Sequence, residues 1–102
     1  MPQPDGMRIV NYATYSSPDN ITRLRPAHRE YIAQLFAEGK LVAGGPFTDG
    51  SGALFIYAAD SLAGAEEIVA ADPYQVGGAF ASYRLSPWEV VRVNPALISA
   101  AG

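Results

Sequence analysis

The run Ala53-Leu54-Phe55-Ile56-Tyr57-Ala58 constrains the fold of this chain more than any other stretch. It follows Asp49-Gly50, a pair that between two apolar runs is a strong hairpin signal. It is apolar at every position, where a half-buried strand would alternate, so the reading is a strand covered on both faces. One sheet face is to be covered by helices, and the other needs a second sheet. Large bare apolar patches are rare on monomers, so a homodimer packing sheet on sheet is expected.

The rest of the chain supplies partners for that strand. Met7 to Tyr15 is rich in β-branched and aromatic residues and reads as a first strand. Ser16 to Asn20 has loop composition. A helix is expected to begin between Thr22 and Pro26, with Pro26 in its first turn, and to stop at Glu38 before Gly39. Lys40 to Phe47 reads as a second strand and Thr48 to Gly52 as the turn. Ser61 is a plausible N-cap for a second helix. The stripe of that helix runs Leu62, Ala65, Ile68, Val69, Asp72, and Pro73 ends it. Tyr74 to Gly78 reads as an irregular link, and Ala79 to Val93 as a final strand system bent or split at Pro87. The domain is expected over 7–93, with a loose tail at 1–6 and a short tail at 94–102.

The order is β-α-β-β-α-β. That is the α+β, ferredoxin-like arrangement, a four-stranded antiparallel sheet with two helices on one face. Following the chain up and down puts three places at one end: the start of the first helix, the end of the second, and the turn between strands two and three. They hold His28, Asp72 and Gly44-Gly45-Pro46.

His28 is the sole histidine. Tyr31, Ile32, Leu35 and Phe36 follow it at offsets of three, four, seven and eight, one helical face. A titratable ring on a buried stripe is either a satisfied core residue or a working acid/base. Asp72, also on an apolar stripe, is costly there unless paired; it is either the partner of His28 or simply the end of its helix.

Composition narrows the classes. Net charge is −3 with only 7 Lys and Arg, which gives no nucleic-acid footprint. There is no cysteine, which fits a reducing cytoplasm. The N-terminal residues carry no signal-peptide pattern, and no apolar run approaches the roughly 20 residues of a membrane span. One histidine without cysteine leaves a metal site short of ligands. No cofactor is expected, and Ser16, Ser17 and Ser51 lack the strained turn that activates a nucleophile.

Four motifs in order carry a resemblance: Arg25-Pro26-Ala27-His28, Glu38-Gly39-Lys40-Leu41, Ala43-Gly44-Gly45-Pro46, and Asp72-Pro73-Tyr74 followed by Ser86-Pro87-Trp88. Together they resemble the YciI-like (YCII-related) proteins over about Met7 to Val93. The resemblance implies a dimeric α+β barrel and an active site built on His28 and Asp72. Gly44-Gly45 departs from the more usual Ala-Gly before the proline.

The expected function is that of a small acid/base enzyme acting on a small organic substrate, a carboxylate or lactone among the candidates. His28 shuttles the proton and Asp72 fixes its tautomer. Arg25, with Arg23 as understudy, either holds a substrate carboxylate or is a solvated helix face. Gly44 and Gly45 either present N–H groups to an oxyanion or serve the tight turn at Pro46. Tyr74 closes the pocket or packs. The rival reading is a non-catalytic ligand-binding or accessory module in which His28 and Asp72 are a structural pair.

Overall fold

In the computed structural model the chain is described from residue 6 to residue 98, so the outer parts of both expected tails lie outside the described residues. The elements are β1 (Met7–Tyr15), α1 (Pro18–Ala37), β2 (Leu41–Pro46), β3 (Gly52–Ala59), α2 (Leu62–Ala71), the single turn α3 (Pro73–Val76), β4 (Phe80–Trp88) and a 3₁₀ turn at Pro95–Leu97. The strands form one antiparallel sheet in the order β2-β3-β1-β4. This is the ferredoxin-like α+β fold. β4 is an edge strand, and there the missing N–H of Pro87 costs no central ladder bond.

The core lies between the sheet and the helices. Ile9, Asn11 and Ala13 of β1, and Ala53, Phe55 and Tyr57 of β3, are buried against Ile21 and Leu35 of α1 and Ala65 and Val69 of α2. The opposite face is bare in the single chain. Tyr12 is 52% exposed, Leu54 36% and Trp88 45%, and Tyr12 lies directly across from Leu54. Between Ala53 and Tyr57 β3 therefore alternates in burial although its sequence does not, because over that stretch only one of its faces is covered within the chain.

Several local expectations need correction. α1 starts at Pro18, with Ser17 as N-cap accepting from the Asn20 N–H, so residues 18–20 are helix rather than loop. Proline at the helix start and serine before it form a standard entry signal. Pro26 consequently sits inside the helix, where it removes the bond to the Thr22 carbonyl, and His28 lies mid-helix rather than in the first turns. Leu62, the first residue of the expected inward stripe, is exposed. Residues 73–76 are helical rather than irregular, and β4 ends at Trp88 rather than at Val93.

A buried polar pair interrupts the core. Asn11 Nδ2 donates to the Tyr57 hydroxyl at 3.1 Å, and Asn11 Oδ1 is buried without a partner. Burial, the largest influence, pushes the Tyr57 phenol well above its ordinary value of 10.0; the Asn11 bond opposes this and Asp72 adds to it. Burial likewise raises Tyr15 and Tyr31. A phenol whose folded pKa exceeds its unfolded value stabilises the fold fully below the unfolded value. That contribution is lost as pH climbs through 10 toward the folded value. Thermal melts between pH 8 and 11.5 should therefore show stability falling above about pH 10, the unfolded tyrosine value, and Tyr57→Phe should make the fall shallower. An unchanged slope in that variant would remove Tyr57 as its main source.

Candidate active site

α1 and the α2–α3 junction converge at one end of the domain. The buried stripe of α1 carries His28 inward, 8% exposed, and Asp72, 1% exposed, sits where Pro73 breaks the helical run. His28 Nδ1 lies 2.8 Å from Asp72 Oδ1. A carboxylate only accepts, so the bond puts the imidazole proton on Nδ1 and leaves Nε2 as the free ring nitrogen. Nε2 makes no hydrogen bond with any described residue, and it is not among the sealed polar atoms. The same Asp72 oxygen also accepts the Tyr74 N–H at 2.9 Å, capping α3. Its other oxygen, Oδ2, is buried without a partner.

Aromatic rings hold the imidazole in place. The Tyr74 ring stacks on it at 3.8 Å and 4°, and Phe55 of β3 meets it edge-on at 5.7 Å and 67°. Gly44 is where it is because of Phe55: a Cβ there would stand 2.8 Å from Phe55 Cδ1. A side chain at 44 would make the Phe55 ring shift from this place against β2.

His28 opens onto a cleft of about 870 Å³. Arg25, Gly44, Gly45, Pro46 and Tyr74 all line it. Arg23 does not. It donates instead to Asn20 Oδ1 at 3.1 Å and to the Gly77 carbonyl at 3.4 Å, tying α1 to the segment that follows α3. Ser16 and Asn20 reinforce that tie through the Gly78 carbonyl.

Tyr15 and Arg29 are among the lining residues that the sequence does not single out. Tyr15 ends β1 at the cleft, its ring edge-on to Tyr74 and parallel to Phe80. Burial first, then the nearby Tyr74, raises its phenol, which Arg25 partly offsets, so it stays an O–H donor near neutrality. The signal was its place as the last residue of a strand that ends where α1 begins. Arg29 lines the cleft one helical turn after Arg25, and the signal was that spacing of four. Among the described residues no cluster of three or more His, Cys, Asp or Glu is placed to hold a metal, and no helix is long and apolar enough to cross a membrane.

Comparisons with known proteins bear on this geometry. The uncharacterized protein YjpA of Bacillus subtilis (strain 168) is 43% identical over 51 residues, which are 50% of this chain and 60% of that protein. The 5-chloro-2-hydroxyhydroquinone dehydrochlorinase TftG of Burkholderia phenoliruptrix AC1100, solved with 2,5-dihydroxybenzoquinone, superposes with a TM-score of 0.71. Its identity is 24%, over 81% of this chain and 94% of that one, a likeness of fold. A dimeric ferredoxin-like protein of Thermobifida fusca is more distant, with a TM-score of 0.44 and 14% identity over 81% of this chain and 91% of that one. The family model of the YCII-related domain matches residues 7–89, a span that takes in all four strands, α1 to α3 and both members of the His28–Asp72 pair. The chain belongs to the YCII-related domain family.

Proposed function

We propose that this protein is a small acid/base enzyme in which His28 moves a proton at a small organic substrate bound in the cleft. The observation that carries the reading is the 2.8 Å His28–Asp72 pair beneath an open cleft, with Nε2 unengaged. Nε2 takes a proton from a carbon or oxygen of the substrate, and the Asp72 carboxylate stabilises the imidazolium that forms. The proton is then returned to the product or to a leaving group. Arg25 anchors the substrate, Gly44, Gly45 and Pro46 form the wall opposite α1, and Tyr74 holds the imidazole plane. TftG, a dehydrochlorinase by name, lends support, because eliminating hydrogen chloride from an organic molecule is proton-transfer chemistry.

The experiment compares wild type with His28→Asn on a panel of small organic acids, lactones and halogenated hydroquinones, 5-chloro-2-hydroxyhydroquinone included, following absorbance and chloride release. Turnover by the wild type alone supports the reading; a wild type inert on the whole panel counts against it. A specific observation favours a second reading. Asp72 Oδ1 also caps α3, a structural task that a non-catalytic binding module would need equally.

We infer further that the active form is a homodimer closed through the bare sheet face. Tyr12, Leu54 and Trp88 are exposed there, and Tyr12 meets Phe47 at 5.2 Å, extending the apolar surface. Sedimentation of the wild type should give twice the mass of the 10.8 kDa chain, and Leu54→Glu should halve it. A wild type that sediments as a single chain at micromolar concentration would refute the dimer.

A further inference from the structure

The charge at the mouth of the cleft runs against that of the molecule. The chain carries 10 acidic and 7 basic residues, yet Arg25 and Arg29 both line the cleft beside His28. Asp49 is the acidic residue on its open wall, and the carboxylate of Asp49 is engaged by the Ser51 N–H at 2.9 Å.

Neither guanidinium has an ion pair or hydrogen bond among the described residues. α1 offers them none. Three and four positions from Arg25 stand Ile21, Thr22, His28 and Arg29; from Arg29 they are Arg25, Pro26, Ile32 and Ala33. No carboxylate falls within helical reach of either, and two like charges four apart repel. Arg84 and Arg92 likewise have no ion pair among the described residues, but neither lines the cleft, and two other cations are engaged. Lys40 pairs with Glu38 at 3.3 Å, and Arg23, four residues after Asp19, is bonded to Asn20 and Gly77. The mutual repulsion of two unpaired guanidiniums on one wall of the cleft is relieved when an anion binds between them.

We propose that Arg25 and Arg29 form a two-armed clamp for a carboxylate, so that the molecules taken by the cleft are small organic acids. The proposal rests on the reading of this cleft as a small-molecule site. Each guanidinium presents parallel N–H donors in a fork that matches the two oxygens of a carboxylate, and the apolar lining from Ile21, Ile32 and Phe55 suits an organic skeleton better than inorganic phosphate. His28 follows Arg25 by three residues and precedes Arg29 by one. The carbon skeleton of a clamped acid therefore lies across the edge of the cleft where Nε2 is free. The Tyr15 hydroxyl, close to Arg25 and kept protonated by its burial, supplies a further donor on the same side.

The test is an NMR titration of the ¹⁵N-labelled full chain with three probes: benzoate, its neutral analogue benzamide, and inorganic phosphate. Benzoate should saturate and shift the Arg25 and Arg29 Nε–H signals, with benzamide and phosphate binding more weakly. Arg25→Gln and Arg29→Gln should each weaken benzoate by about tenfold, the worth of one charged hydrogen bond at a wet site, and melting temperature should not move, because both side chains are exposed. The clamp is overturned if benzamide binds as tightly as benzoate, if phosphate binds more tightly, if benzoate does not bind, or if Arg29→Gln leaves benzoate affinity intact. These outcomes are separable from catalysis. Benzoate held by both arginines in a protein that turns over nothing keeps the clamp and removes the enzyme; turnover of neutral substrates without benzoate binding does the reverse.

Discussion

His28→Asn is expected to yield a folded protein whose kcat is lower by between about 10²- and 10⁴-fold, the range that one positioned acid/base group supplies. Asparagine is the informative replacement. Its amide nitrogen falls near the place of Nδ1, so a donor still faces Asp72 Oδ1, where the imidazole bond is 2.8 Å. What it lacks is the far edge of the ring with Nε2. A large loss of kcat at little cost in melting temperature therefore isolates proton transfer from packing. His28→Ala is a harsher change, because it also empties the space between Tyr74 and Phe55 and strips a donor from buried Asp72. If His28→Asn retains kcat within a few-fold, the imidazole carries no proton. If His28→Ala lowers the melting temperature and there is no activity for either variant to lose, the pair is structural.

Asp72→Ala is expected to cost about 3 kcal/mol of stability, because it takes the acceptor from two donors at once and an orphaned buried donor costs roughly 1 to 3 kcal/mol. The donors are His28 Nδ1–H and the Tyr74 N–H, both on Oδ1. In a domain of this size that corresponds to a fall in melting temperature of about 10 to 20 °C. Asp72→Asn should fall far less. Its carbonyl oxygen can keep the place of Oδ1 with both bonds, and its amide group occupies the position of Oδ2, which has no partner to lose. The asparagine variant thus retains the cap and the imidazole tautomer while removing the negative charge. A loss of kcat in that variant measures what the charge contributes to stabilising an imidazolium. Urea and thermal melts of both variants check the structural half, and an alanine variant that melts within a few degrees of wild type would show that the carboxylate bears no structural weight.

How much of this was legible in the sequence varies with the range of the interaction involved. Met7–Tyr15 reads correctly to the residue because β-branched and aromatic side chains favour strands locally. Gly39, with φ +75°, stops α1 as its lack of a side chain permits. The sequence puts the start of α1 too late because Ser16-Ser17-Pro18-Asp19-Asn20 serves equally as turn and as helix entry, and the choice is made by contacts with distant backbone. Ser16 Oγ donates to the Gly78 carbonyl at 2.7 Å, and the Ser16 N–H to the Ala79 carbonyl, also at 2.7 Å. Asp72 poses the same ambiguity, since Asp-Pro ends one helix and starts another, and its Oδ1 caps α3.

The order of the four strands and two long helices, and with it the convergence of the segments carrying His28, Asp72 and Gly44-Gly45-Pro46 on one end, follows from the sequence alone, because hydrophobic period and breaker residues are local properties that chain connectivity turns into a topology. Only the tertiary structure decided which side chains share the cleft: that Arg29 and Tyr15 belong to it, that Arg23 is spent on the Gly77 carbonyl, that Tyr74 lies flat on the imidazole, and that Gly44 is empty so that Phe55 can reach it. The physical reason is that a side chain's direction and its partners depend on helix rotation and strand register. Those are set by packing between residues dozens of positions apart, and nothing in their neighbours along the chain encodes them.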